Sequence, residues 1–175
     1  MEPEFFQQHI RTVANWPEPG VQFRDITPLL RDGQAFHRLI DTFAVRYKDS
    51  HIDAIAGIDA RGFIVGAALA YRLDCGFIPV RKQGKLPFDT VSESYSLEYG
   101  TGTVEVHTDA ASAGEHVLVI DDLIATGGTM MAACRLMQKL GAHVIETAAV
   151  IDLPVLGGSA KLRNANLAPF VLLSY

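Results

Sequence analysis

The run His116-Val117-Leu118-Val119-Ile120-Asp121-Asp122-Leu123-Ile124-Ala125-Thr126-Gly127-Gly128-Thr129 decides how the chain reads. Residues 116–120 form a continuous apolar stretch, the pattern of a strand in a parallel sheet covered on both faces. Two adjacent carboxylates end it, and a small, hydroxyl-rich turn with two glycines opens the next helix. That turn suits an anion. Backbone N–H groups at a helix N-terminus point at the ligand, glycines let the backbone approach, and Thr126 and Thr129 add hydroxyl donors. No Lys follows the glycines, so the turn is not a nucleotide P-loop, and the glycine spacing is wrong for a dinucleotide fingerprint. A capped loop would account for Thr-Gly-Gly-Thr alone. It leaves the carboxylates unexplained, because acidic groups repel a phosphate and must face another part of the ligand. Vicinal sugar hydroxyls donate to carboxylate oxygens, so the whole run suits a ribose 5-phosphate.

Outward from this run, strand and helix patterns alternate. Residues 52–58 are a short apolar strand ending at a glycine-flanked turn, and 63–73, apolar nearly all round, read as a buried helix. Residues 77–80 are another strand, and 103–107 alternate as a half-exposed one. A helix over 129–140 carries Met130, Ala133, Cys134, Met137 and Leu140 on one stripe and stops at Gly141. Strands follow at 144–153 and 168–173. Upstream, Phe36, Leu39, Ile40, Phe43 and Tyr47 predict a helix over 33–47 with Asp32 as its N-cap. Phe6, Ile10 and Val13 predict a helix over 3–14, broken by Trp16-Pro17-Glu18-Pro19-Gly20. The βαβ series predicts an α/β fold, a central mostly parallel sheet flanked by helices, with ligands at the carboxyl ends of its strands.

Composition narrows the class. The 175 residues fit one domain, and 49% hydrophobic with 20% charged residues excludes global disorder. Fifteen Lys and Arg against twenty Asp and Glu give a net charge of -5, which argues against a nucleic-acid partner. No apolar run is long enough for a membrane helix, and the N-terminus does not read as a signal peptide, so a cytoplasmic protein is expected. Cys75 and Cys134 read as reduced thiols. The six histidines show no metal-ligand spacing, so no protein metal site is expected.

Four other segments carry candidate chemistry. Asp59-Ala60-Arg61-Gly62-Phe63 is a second strand-to-helix turn, either a surface turn or a second anion cradle with a guanidinium to grip phosphate oxygens. Arg81, Lys82 and Lys85 are a cationic cluster, solvated or placed at the ligand-bearing edge by the strand before it. Residues 88–102 form a connection long enough for a lid. Phe23, after a Pro/Gly break, is either a core anchor or a stacking platform.

Residues 119–129 resemble the signature of the type I phosphoribosyltransferases, and Asp-Asp followed by Ala-Thr-Gly-Gly-Thr is closest to the adenine-specific branch. Val21-Gln22-Phe23-Arg24-Asp25-Ile26-Thr27-Pro28 resembles that branch's adenine-pocket segment. Gly57-Ile58-Asp59-Ala60-Arg61-Gly62-Phe63 resembles its pyrophosphate loop, Arg81-Lys82-Gln83-Gly84-Lys85-Leu86-Pro87 its basic segment, and Ser94-Tyr95-Ser96-Leu97-Glu98-Tyr99-Gly100 its mobile flap. Ile124 stands where the family mostly has Leu, and Asp59 where Glu is common; both changes are conservative.

The resemblance implies a type I phosphoribosyltransferase fold over 1–175. A small hood would come from about residues 1–30 and the C-terminal segment, with a mobile flap at about 88–102. It implies transfer of the phosphoribosyl group of 5-phosphoribosyl 1-pyrophosphate (PRPP) to N9 of adenine, giving AMP and pyrophosphate in purine salvage. The phosphate would sit on Ala125, Thr126, Gly127, Gly128 and Thr129, and the ribose on Asp121 and Asp122. Pyrophosphate would bind Asp59, Ala60, Arg61, Arg81, Lys82 and Lys85, and adenine would bind Gln22, Phe23, Arg24 and Leu123. Glu98 would assist proton movement on the purine. Mg2+ would be held mainly by ligand and water, and the protein would be a homodimer. A non-proline cis peptide is implied at Asp59–Ala60. Two rivals are transfer to hypoxanthine, guanine or orotate, and a regulator that binds PRPP without turnover. The Phe23-Arg24-Asp25 block argues against the first. The second usually carries a DNA-binding domain, and this acidic chain has no room for one.

Overall fold

A computed structural model of the protein describes residues 3–96 and 100–175. The apolar runs of the sequence become the inner strands of one sheet. Strands β3 (Ala54–Ile58), β4 (Gly76–Lys82), β7 (His116–Ile124), β8 (His143–Asp152) and β9 (Pro169–Ser174) join β5 (Thr90–Ser96) and β6 (Thr101–His107) in the order β5-β6-β4-β3-β7-β8-β9. The β4-β3-β7-β8-β9 pairs are parallel, whereas β6 is antiparallel to both β4 and β5. Val117, Leu118, Val119 and Ile120 are all fully buried, as a strand covered on both faces requires.

This sheet and its helices form one compact unit from Asp49 onward. Helix α4 (Arg61–Leu73) follows β3, and α5 (Gly128–Lys139) follows β7. A single 3-10 turn (Pro154–Leu156) and helix α6 (Gly158–Asn164) lie between β8 and β9. Helix α4 lies close against β7. A Cβ at Gly62 would stand 2.9 Å from the Ile120 carbonyl oxygen and from Asp121 Oδ1, and one at Gly66 would stand 3.0 Å from Ile120 Cγ2.

Two expectations change in this unit. Strand β7 does not stop at Ile120. It runs on through the Asp pair, because Leu123 and Ile124 continue the ladder opposite Ile151 and Asp152. The connection over 88–102 contains strand β5, paired with β6 from Thr90↔His107 to Ser96↔Thr101. Glu93 on β5 accepts from Lys139 Nζ (2.6 Å) and Arg135 Nη1 (3.2 Å), so the ribbon is fastened to α5. Hydrogen bonding to Lys139 is the first cause that holds the Glu93 carboxyl below its ordinary value.

The other compact unit ends at Lys48. It contains α1 (Pro3–Gln7), β1 (Arg11–Ala14), β2 (Gln22–Asp25), α2 (Thr27–Arg31) and α3 (Gly33–Tyr47). The helix expected over 3–14 ends at Gln7. Residues 11–14 are extended instead, in an antiparallel ladder from Arg11↔Asp25 to Ala14↔Gln22. The spacing of Ile10 and Val13 fitted a helix, but pairing with a partner strand overrides local periodicity. Helix α3 is as expected, and buries Leu39, Ile40, Phe43 and Tyr47. Asp32 caps it, its Oδ1 accepting from the N–H groups of Gln34 (3.0 Å) and Ala35 (2.9 Å). Those two bonds hold the Asp32 carboxyl low, the Ala35 bond most of all. Asp32→Ala leaves both donors to water and should lower Tm by about 2–4 °C in a thermal melt.

Candidate active site

Both strand-to-helix turns that carry candidate chemistry sit at the carboxyl ends of neighbouring parallel strands, β3 and β7. They face one cavity of about 380 Å3, lined by Asp59, Ala60, Arg61, Lys82, Asp121, Asp122, Leu123 and Thr129, with Ile58, Tyr95 and Val104. The Asp59–Ala60 peptide is cis. Arg61, the first residue of α4, donates from Nε to Asp122 Oδ2, joining residues on two different strand ends. Arg81 Nε lies 3.4 Å from Asp59 Oδ2, and its Nη1 donates to the Lys85 carbonyl at 3.0 Å. The basic segment is therefore folded back onto the turn after β3.

The two carboxylates differ. Asp122 is buried and neutralised by Arg61. Asp121 accepts from the N–H of Asp122 at 2.8 Å. Desolvation pushes the Asp121 carboxyl well above its ordinary value, and the neighbouring Asp122 charge pushes the same way. The Asp122 N–H bond and Arg61 pull in the opposite direction and do not cancel this.

Residues 124–130 line a second, smaller cavity of about 80 Å3 together with Asp121 and Leu123. Here the chain turns at Gly127, whose φ of +74° is a left-handed conformation that favours glycine, and α5 begins at Gly128. The turn is backed by Gly158, whose N–H donates to the Ala125 carbonyl at 3.1 Å. A Cβ on Gly158 would lie 2.3 Å from that oxygen and 2.6 Å from the Gly127 nitrogen. The geometry is a cup of main-chain groups at a helix N-terminus, with Thr126 and Thr129 on its rim.

These features match known proteins. The family model described as phosphoribosyl transferase domain matches residues 29–160. An adenine phosphoribosyltransferase of Albidiferax ferrireducens is 63% identical over 174 residues, 98% of this chain and 90% of its own length. The crystal structure of adenine phosphoribosyltransferase from Thermoanaerobacter pseudethanolicus superposes with a TM-score of 0.95 at 42% identity, covering 99% of each chain. That from Saccharomyces cerevisiae, complexed with D-2,5-dideoxy-2,5-imino-altritol 1,6-bisphosphate and adenine, gives 0.92 at 37% identity, covering 98% of each chain. The chain belongs to the adenine phosphoribosyltransferases.

Within that family fold, the expected residues other than the 125–128 turn and the Arg81 and Lys85 already placed separate into three groups. The pyrophosphate-loop residues Asp59, Ala60 and Arg61 share one cavity with Lys82, Asp121, Asp122, Leu123 and Thr129. Gln22, Phe23 and Arg24 belong to the first compact unit, on β2. There Phe23 meets Trp16 edge-to-face with ring centroids 4.4 Å apart, and Arg24 donates to the Thr12 hydroxyl. Glu98 lies outside the described residues.

Two residues escaped the sequence reading. Tyr95 lines the larger cavity. Glu105, on the strand read as half-exposed, is only 7% exposed, and its Oε2 accepts from the Gly84 N–H at 2.9 Å. It holds the basic segment's turn by its main chain. Nothing local in an alternating strand distinguishes such a carboxylate from a solvated one.

Two outcomes test this geometry. Asp121 keeps its proton in the folded protein to a higher pH than in the unfolded chain. Stability is therefore lost as pH rises through that interval. Asp121→Asn keeps the acceptor and removes the charge. Its Tm should exceed the parent's at about pH 7.5, with the gap closing towards about pH 3.5. Gly158→Ala should cost about 1–3 kcal/mol by chemical denaturation, because backbone surrounds the added carbon.

Proposed function

We infer that this chain transfers the 5-phosphoribosyl group of PRPP to N9 of adenine, giving AMP and pyrophosphate in purine salvage. The observation that carries this reading is the placing of two strand-to-helix turns on two cavities that share Asp121, Leu123 and Thr129, within an adenine phosphoribosyltransferase fold. The adenine in the yeast relative's complex supports the choice of base.

The turn over Ala125–Thr129 cradles the 5′-phosphate. Asp121 and Asp122 accept from the ribose hydroxyls, and the Asp122 carboxylate lends negative field to C1. N9 attacks C1 as the C1–O bond to pyrophosphate breaks, and pyrophosphate leaves with the bonding pair. Configuration inverts through an oxocarbenium-like transition state, with no covalent intermediate. Asp59, Ala60, Arg61, Arg81, Lys82 and Lys85 hold the departing pyrophosphate. Gln22 and Arg24 read the base edge through main-chain groups, while Phe23 and Leu123 take its two faces. The proton lost from the purine passes with the help of Glu98, in a flap over residues 88–102 that excludes water. The hood belongs to about residues 1–30 with the C-terminal segment.

Mg2+ fits the donor set as an ion held by ligand oxygens and water. Asp122 is committed to Arg61 and Asp121 to a main-chain N–H, so the two carboxylates form no ready cage. When bound, it neutralises the pyrophosphate. A cytoplasmic homodimer completes the reading. Its support is two free cysteines, no helix among the described residues long and apolar enough to cross a membrane, and apolar side chains left open at Tyr71 and Val155.

Incubation with Mg2+, PRPP and each nucleobase, followed by product mass analysis, should give AMP from adenine and no nucleotide from hypoxanthine, guanine or orotate. A nucleotide from another base instead would overturn the assignment. Asp122→Ala should lower kcat/KM at least about tenfold, because a charge-assisted hydrogen bond contributes about 1.5–3 kcal/mol.

A further inference from the structure

At the opposite end of the parallel strands, where β3 and β7 begin, three potential ligands converge. Asp53 immediately precedes β3, His116 opens β7, and His51 lies in the segment leading to β3. One ligand atom from each lies within 4.8 Å of the others, the one such group among the described residues. His51 Nε2 stands 3.1 Å from Asp53 Oδ1, and His116 Nδ1 stands 3.5 Å from Asp53 Oδ2. Ligand atoms about 2.0–2.2 Å from one tetrahedral zinc stand roughly 3.3–3.6 Å apart; the His116–Asp53 separation falls in that range, and the His51–Asp53 separation, to the other carboxylate oxygen, is slightly shorter.

The carboxylate is fixed before any ion arrives. Asp53 Oδ2 accepts from the His116 N–H at 2.7 Å, and the Asp53 N–H donates to the His116 carbonyl at 2.9 Å. His116 Nδ1 is buried yet makes no hydrogen bond. A buried ring nitrogen ordinarily has a partner, and a metal would supply one. The exposed His51 ring meets His116 edge-on at 5.2 Å, and His143, the cross-strand partner of His116, adds a third imidazole at 5.8 Å. Two imidazoles and one carboxylate suit zinc and its neighbours, not Mg2+, which takes oxygen ligands.

We propose that His51, Asp53 and His116 form a binding site for one divalent transition-metal ion of the zinc class. It is separate from the reaction centre. Asp53 and Asp59 stand at opposite ends of β3, about 20 Å apart at about 3.3 Å per residue. A bound ion would staple the segment entering the sheet to the first residues of its two central strands. The sequence spacing hid it, because residues 51–53 and 116 meet only through the β3–β7 pairing.

Zinc titration of chelator-treated protein by calorimetry, with imidazole nitrogen shifts read by NMR, tests the site. One equivalent should bind, the His51 and His116 signals should move together, and Tm should rise with zinc. The exposed His51→Ala should weaken binding at least about tenfold and abolish the Tm rise. Asp53→Asn should weaken it in a protein that keeps both imidazoles, while His37→Ala, altering the exposed His37–Asp41 pair on α3, should leave it unchanged. No stoichiometric binding, or unaltered affinity in His51→Ala, would overturn the proposal.

Discussion

Helix α4 can lie against strand β7 only because residue 62 has no side chain. The carbon that any other residue would place there collides with the Ile120 carbonyl and with Asp121 Oδ1. This approach brings the start of α4, and with it Arg61, within hydrogen-bonding reach of Asp122. Residues 61 positions apart thus meet at a point set by main-chain contact. Neighbouring strands supply the alignment, since β3 pairs in register with β7 from Ala54↔Val117 to Gly57↔Ile120. A bulkier residue at 62 would separate the two turns, and the larger cavity would lose one wall.

The second turn is shaped the same way, by main chain pressed on main chain. Gly127 and Gly158 meet too closely to admit a Cβ. The segment between β8 and β9 therefore supports the cup at the start of α5. Main-chain support suits an anion site. Such groups lose little conformational freedom when a ligand binds, and their N–H groups keep their direction.

How much of this was legible depended on how local each cause was. The 33–47 helix and its Asp32 cap were visible because cap and periodicity lie within one segment. The central strands were visible because burial on both faces leaves an uninterrupted apolar run. The run 121–129 was legible for a chemical reason, since few other needs place two carboxylates before a glycine turn. Residues 11–14 were misread because their extended state depends on pairing with residues 22–25. The end of β7 was placed too early because polar side chains mask a ladder that the main chain continues. Glu105 and Glu93 were not legible at all. Each is defined by a partner on another element, Gly84 for one and Lys139 with Arg135 for the other.

The Asp pair shows why the site's charges are arranged in opposition rather than simply accumulated. Two adjacent carboxylates cannot both ionise cheaply out of water. Here Arg61 compensates one, while burial and its neighbour push the other towards its proton. The proposed reaction develops positive charge on C1 and negative charge on pyrophosphate at once. Arg61 carries five donors and can lean from Asp122 towards the pyrophosphate. In the proposed reaction that movement would give the leaving group a cation and uncover a carboxylate near the carbon that is becoming positive. A single side chain would then serve both ends of the breaking bond. It can do so only from the first turn of a helix held against the strand that bears the carboxylates, which is the packing that Gly62 permits.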